Sequence, residues 1–526
     1  MSVNMRRWGP YQQITPLLNS SLPPEGTRTG RTFSKLLGTI HAIVGIVLPL
    51  AAVFQAIHLG QISEDKAFTS LSIQGYYIYL LVVSIFALVI MKATGMLKRF
   101  DEQECPQANA GFIKGGAVFF AAFGILFAGF KFGSTLDSDS ASGHQAIDVI
   151  EAILNAIFII GLTLFVCLYS EHCITEYKPL ARVAILLLLA TCLSCWSRDC
   201  VSKIVADIAQ TDFDYSICAG SNTTVVNESN SASSIPYVLK HVTGDERNGS
   251  SFDSFYRKSS DILVPNTLTL YFIMSAFLLI IYSNISGPRL TFMQEQPRRH
   301  LTFKSSCVGL WFGILVLALS VAFVVAYAFA VAGQTGDDNG EIPLIYYSFI
   351  ISVYPFTIIC NIISLVKMQR NRSWFEDESR EGELRLTLPL LFLSATGILV
   401  TAMFNIIASS MSTYAAHKPA LLLAHECLKV IDVFVQVLFL YEASYRQPPD
   451  VFTPNITRQI KMFLIFTNFT FWWTNIYGLK DTGINPVQFC FYGFEVWTMI
   501  SQLAAPFALY FRFHSFVMYL DIWLCG

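Results

Sequence analysis

The sequence predicts an all-α polytopic membrane protein with twelve transmembrane helices in two pseudo-symmetric six-helix halves. Three observations carry this expectation: a charge-poor apolar composition, twelve apolar stretches of membrane-spanning length, and an internal repeat six stretches apart. Of 526 residues, 53% are hydrophobic and 14% charged, against about 25% charged in a soluble chain. Lys plus Arg number 35 and Asp plus Glu 37, which excludes the basic face a nucleic-acid partner needs. Gly and Pro show no fixed period, which excludes collagen-like and low-complexity classes.

A polar cytosolic segment, 1–35, opens the chain. Apolar stretches follow near 36–60, 74–97, 112–132, 145–170, 179–207 and 260–284, forming a first half over 36–284. A basic cytosolic linker, 285–304, leads to stretches near 305–333, 343–366, 386–410, 420–444, 458–478 and 489–515, a second half over 305–515, and a tail over 516–526. Each stretch must be helical, because lipid offers the backbone no hydrogen-bond partner. They are too long and continuous for barrel strands. The first stretch follows polar residues and exceeds a signal-peptide core, so no cleaved signal is expected.

An even number of spans puts both termini on one side. That side holds 24 of the 35 Lys and Arg residues, including Arg6, Arg7, Lys98, Arg99, Arg298 and Arg299. The positive-inside rule makes it cytosolic. The long polar loop 208–258 then lies outside, with glycosylation sequons at Asn222, Asn227 and Asn248. Sequons at Asn19, Asn284, Asn371 and Asn455 fall inside and Asn468 within a span, so these are expected to be idle. Most of the twelve Cys lie in spans and do not form a disulfide framework; Cys218 stands alone in the outer loop.

The repeat shows in three ordered matches. Val149-Ile-Glu-Ala-Ile-Leu-Asn-Ala-Ile-Phe158 in span 4 aligns with Val430-Ile-Asp-Val-Phe-Val-Gln-Val-Leu-Phe439 in span 10. Ala122-Phe-Gly-Ile-Leu126 aligns with Ala395-Thr-Gly-Ile-Leu399, and Thr191 with Trp196 aligns with Thr467 with Trp472. Six spans per half is even, so the halves run parallel about an axis along the membrane normal. Extending the first match outward gives His144, Asp148, Glu151 and Asn155 in span 4, and His425, Lys429, Asp432 and Gln436 in span 10. Steps of 4, 3 and 4 put each set within about 60° on one helix face, a polar stripe about 16 Å long.

Ionisable groups at the bilayer centre cost about 2.5–3.5 kcal/mol each on insertion scales, so they face protein or water. Two readings stay open. In one, the stripes line a hydrated path where carboxylates and imidazoles exchange protons, with His144 and His425 at the outer end. In the other they form an inter-helix seam satisfied in pairs, Lys429 with Asp432 three residues on, or Lys429 with Asp148 across the halves. Other groups have local readings. His41, Gln55 and His58 in span 1 suit packing, Glu442 and Arg446 suit an ion pair, and Arg512 suits snorkelling at the cytosolic edge. Cys192-Leu-Ser-Cys195 lacks the second pair a metal site needs, so no metal or cofactor is expected. No phosphate loop, nucleophile elbow or His-Glu-x-x-His motif is present, and His425-Glu-Cys-Leu-Lys429 fails that last pattern at its final position. Enzyme chemistry therefore has no foothold.

Phe491-Tyr-Gly-Phe-Glu-Val-Trp497, leading through Pro506 into Tyr510-Phe-Arg-Phe-His-Ser515, resembles the closing helix of the otopetrin proton channels. Gln436-Val-Leu-Phe-Leu-Tyr-Glu442 resembles their tenth helix, Thr467-Asn468 with Trp472 their eleventh, and Ala181-Arg182 with Ala190-Thr191 and Trp196 their fifth. The motifs keep their order over roughly residues 36–520. The resemblance implies a proton-selective channel of the plasma membrane, opened or driven by external acid. It also implies a homodimer whose barrel-like halves surround a lipid-filled centre, with a sterol as a candidate occupant. Carried over by motif, the route residues are Gln436, Glu442, Asn468 and His514, with Arg512 beside them. Three positions depart from the family pattern: Cys192 where Asn follows the Ala-Thr, Leu187 where His is common, and Lys203 where an acid is common. A proton-coupled secondary transporter and a non-conducting scaffold are the alternative functions.

Overall fold

The computed structural model describes residues 28–58, 71–94, 97–98, 110–137, 143–169, 173–174, 177–210, 251–283, 285, 306–332, 341–369, 378–411, 418–445, 456–478 and 487–525. The first set of helices is α1 (Arg28–His58), α2 (Leu71–Ala93), α3 (Ala110–Asp137), α4 (Gly143–Tyr169), α5 (Lys178–Gln210) and α6 (Ser251–Ser283). The second is α7 (Cys307–Ala332), α8 (Glu341–Gln369), α9 (Glu378–Met411), α10 (Lys418–Tyr445), α11 (Ile456–Gly478), the short α12 (Val487–Tyr492) and α13 (Phe494–Cys525). The protein is all-α and polytopic. Its extended residues among those described are β1 (Leu97–Lys98) and β2 (Cys173–Ile174), a two-residue antiparallel pair.

Among the described residues, eight helices are long and apolar enough to cross a membrane: α2 to α9. The twelve-span expectation is therefore not met by length and composition alone. In α1 the apolar stretch is the shorter Lys35–Ala51. α10, α11 and α13 carry buried ionisable groups, among them Glu426, Asp432, Arg458, Lys461, Arg512 and Asp521. Those groups lower the hydropathy of helices that are otherwise long enough. The last helix also runs on to Cys525, past the apolar edge at 515.

Packing follows a list that recurs six helices on, the short α12 passed over. α1 lies along α5, α2 along α4 and α5, α3 along α4 and α6, and α5 along α6. In the second set α7 lies along α11, α8 along α10 and α11, α9 along α10 and α13, and α11 along α13. Close approach at one recurring contact depends on glycine. A Cβ on Gly45 of α1 would fall 1.6 Å from Ser194 Oγ of α5, and one on Gly309 of α7 would fall 1.9 Å from the Gln459 carbonyl oxygen of α11. Small residues at such crossings let helices pack by dispersion where lipid supplies no hydrophobic drive.

The two sets meet through α13, which packs on α5 and α6, and through aromatic side chains. Trp196 meets Phe507 at 5.9 Å between centroids, Phe272 meets Tyr510 at 4.8 Å, and Phe120 meets Phe513 at 4.9 Å. Trp472 reaches back to Phe119 at 5.7 Å. Such pairs contribute about 0.5–1.5 kcal/mol each beyond burial. Gly493, at φ 85°, makes the turn between α12 and α13, a left-handed conformation that glycine adopts without strain. Cys490 on α12 is disulfide-bonded, whereas Cys167, Cys192, Cys195, Cys200, Cys307, Cys360 and Cys427 are free thiols.

Candidate functional site

Each polar stripe lies on a face that its neighbours enclose, and each becomes the centre of a buried polar cluster. On α4, Glu151 is 4% exposed. Lys131 of α3 reaches its Oε1 at 2.9 Å, and Arg198 of α5 makes a second ion pair with the same oxygen. Gln74 of α2 donates to Glu151 Oε2 at 3.1 Å and also bonds Asp148. Arg198 continues to Asp199 at 3.0 Å and stacks over the Tyr77 ring at 5.2 Å. One turn along the stripe, Asn155 Oδ1 accepts from the Tyr271 hydroxyl of α6 at 3.1 Å. Four helices thus hold one carboxylate, a degree of satisfaction expected of buried charge.

On α10, Asp432, Gln436 and Arg512 are each 1% exposed. Arg512 of α13 donates through Nη1 to Asp432 Oδ2 at 3.1 Å and to Gln436 Oε1 at 3.0 Å. The Thr357 hydroxyl of α8 donates to Asp432 Oδ1 at 2.6 Å. Gln436 Nε2 donates to Asn468 Oδ1 of α11 at 2.8 Å, and Asn468 Nδ2 donates to the Leu464 carbonyl at 2.9 Å. The guanidinium sits 4.6 Å from the Phe471 ring centroid. The result is an unbroken chain, Thr357–Asp432–Arg512–Gln436–Asn468, spanning four helices. Nearby, the Tyr519 hydroxyl bonds Asn361. His514 Nε2 lies 3.3 Å from the Thr387 carbonyl and Nδ1 lies 3.5 Å from the Tyr510 hydroxyl. A carbonyl only accepts, so Nε2 carries a proton in this contact.

Several pairings differ from those read along single helices. Lys429 does not pair with Asp432; it pairs with Glu426, at 2.8 Å. Asp432 finds Arg512 instead, so three-residue spacing placed two groups on one face without making them partners. Asp148 bonds Gln74 rather than Lys429. Arg512 does not snorkel to a membrane edge: it lies within α13 and faces the α10 stripe. His425 Nδ1 is 3.1 Å from Glu426 Oε1, and its ring lies 5.2 Å from Tyr347 and 5.5 Å from Tyr354. Lys203 pairs with Asp207 and Asp261.

Other expectations resolve locally or fall elsewhere. His41 Nδ1 bonds the Leu37 carbonyl at 2.8 Å, a packed arrangement. Cys192 and Cys195 are buried free thiols, and no group of metal-ligating side chains occurs among the described residues. Glu442 is half-buried. Arg446, Asn222, Asn227, Asn248 and Cys218 lie outside the described residues, as do the side chains of His144, Gln55 and His58.

Gln74, Lys131, Arg198, Asp199, Tyr271, Thr357 and Glu426 complete the clusters and were missed as site residues. Lys131 and Arg198 were visible as cations inside or beside apolar stretches, which the insertion cost alone marks as facing protein or water. Glu426 stood inside the quoted His425–Lys429 segment. Chemically, both clusters combine a carboxylate, fixed cations, and amide or hydroxyl groups that donate and accept. Such a set can hold water and hand a proton between neighbours.

The otopetrin family profile matches residues 112–513. A mouse protein named proton channel OTOP2 is 20% identical over 98% of this chain and 99% of its own length. A zebrafish protein named proton channel OTOP1 is 20% identical over 93% of this chain and 90% of its own. In the fruit fly, a protein named proton channel OtopLc is 21% identical over 78% of this chain, which spans about a quarter of the fly protein, 27%. Matched from α3 to α13 over residues 112–513, more than half of its length, the chain belongs to the otopetrin family.

Proposed function

We propose that the chain is a proton-selective channel that carries H⁺ inward in response to external acid. The relatives it resembles are named proton channels. The observation that carries the reading is the buried chain Thr357–Asp432–Arg512–Gln436–Asn468, a continuous hydrogen-bonded network with an ionisable carboxylate inside a membrane domain. Its counterpart around Glu151 gives the first half a second candidate route. Along these routes Glu151, Asn155, Asp432, Gln436, Glu442, Asn468 and His514 handle protons. Asp148, Lys429, Arg512 and Lys203 set the local field, and His144 and His425 meet outside acid first.

In this reading α1 to α11 and α13 are the twelve spans, arranged as two halves about a parallel pseudo-two-fold axis. The recurring packing list supports that arrangement. Both termini are cytosolic, the 208–258 loop is outside and glycosylated, and the protein is a plasma-membrane homodimer with lipid at its centre. Whole-cell recording on the full chain tests the function. Acidifying the bath should evoke inward current with no organic substrate added, and replacing Na⁺ or Cl⁻ should leave it unchanged. Current that requires a co-substrate would identify a coupled transporter; its absence with normal surface delivery would identify a scaffold.

A further inference from the structure

We propose that Lys203 is a tethered cation that closes the mouth of the seam between α5, α6 and α13 to protons; this rests on the channel reading. Its Nζ lies between two carboxylates, Asp207 one turn on in α5 and Asp261 of α6, the latter at 2.6 Å. Asp207 carries the contact across to the second half: its Oδ2 accepts from Gln502 Nε2 of α13 at 2.8 Å. One turn before Lys203, the Cys200 thiol points at the Gln502 carbonyl, 3.8 Å away. The ammonium and its Asp207 partner together tie three helices at the end of α5 that leads into the 208–258 loop.

The chemistry of the occupant matters. An alkylammonium carries one positive charge and three donors, like a hydronium ion. It sits where paired carboxylates would otherwise cradle a hydronium. The Asp207 and Asp261 side chains remain 22% and 33% exposed, while Lys203 is 9% exposed. Solvent protons thus reach the carboxylates and then meet a fixed cation behind them. A fixed cation in a proton's path is an electrostatic barrier to protons and cations. The seam behind it is not uniformly apolar. Trp196 Nε1 of α5, whose ring meets Phe507 of α13, and Thr498 Oγ1, one turn before Gln502 on α13, lack a partner among the described residues. Thr498 is buried. With the ammonium in place this polar lining does not conduct, and current runs inside the halves.

The test is acid-evoked current per surface channel in cells expressing the full chain. Lys203→Gln keeps a hydrogen-bond donor without charge, one bond shorter; Lys203→Ala removes the side chain. Each should raise the current about tenfold, the lower bound of electrostatic focusing in a charged cleft. External methylammonium should return the Lys203→Ala current to the wild-type level while leaving wild type unaffected, which a merely structural lysine would not produce. Wild-type current in both variants overturns the proposal, as does failure of both to reach the surface, which would make Lys203 a folding latch only. If wild type is silent and Lys203→Ala conducts, the closure stands and the wild-type channel reading falls. Silence in all three overturns both.

Discussion

Asp432 and Arg512 form an ion pair in which each side chain is 1% exposed. Removing one partner of such a pair leaves an uncompensated buried charge, at a cost of about 3–5 kcal/mol. Asp432→Ala should therefore reduce surface delivery by stranding Arg512. Asp432→Asn combined with Arg512→Met removes both charges and should restore delivery, measured by surface biotinylation. If the network relays protons, this double variant should still lack current; normal current per surface channel would end the case for the α10 route. Lys429→Met should not substitute for Arg512→Met, because Lys429 serves Glu426. At this scale the sequence was half legible. The 4, 3 and 4 steps marked the right helix faces. They could not show that the partner of Asp432 lies 80 residues away on another helix, because spacing reports neighbours on one helix only.

At the scale of elements, glycine decides which helices approach closely. The Cβ of a Gly309→Ala variant would fall 1.9 Å from a main-chain oxygen of Gln459. Backbone cannot swing aside as a side-chain tip does, so overpacking of about 1–3 kcal/mol or more is expected. Gly129→Ala, with nothing within 4 Å of its Cβ, should instead be neutral or stabilising by about 0.5–1 kcal/mol within helix α3. Thermal unfolding of the detergent-solubilised protein checks both; equal midpoints would show that the α7–α11 crossing is looser than described. Helix positions were legible from hydropathy because long apolar runs have few alternatives in lipid. The run ends were less so: α13 buries Arg512, His514 and Asp521, and charge inside a helix reads as an edge until its partner is known.

For the whole molecule, three short sequence matches raised the expectation of a repeat, and the packing list recurs six helices on when the short α12 is passed over. How the halves bind each other was not legible, because Phe507, Tyr510 and Phe513 look like any apolar residues until α13 is placed against α3, α5 and α6. The proposed topology predicts glycans on the 208–258 loop alone. Replacing Asn222, Asn227 and Asn248 together should abolish the electrophoretic shift produced by glycosidase, and a residual shift would mean that the assigned sides are reversed or a span is miscounted. Proton selectivity is tested most directly by the reversal potential of the acid-evoked current across a series of pH gradients. A proton-selective pore should shift by about 59 mV per pH unit, the one-electron-equivalent Nernst slope at 25 °C. A reversal potential that stays fixed as the pH gradient changes, or that follows Na⁺ or Cl⁻, would contradict it.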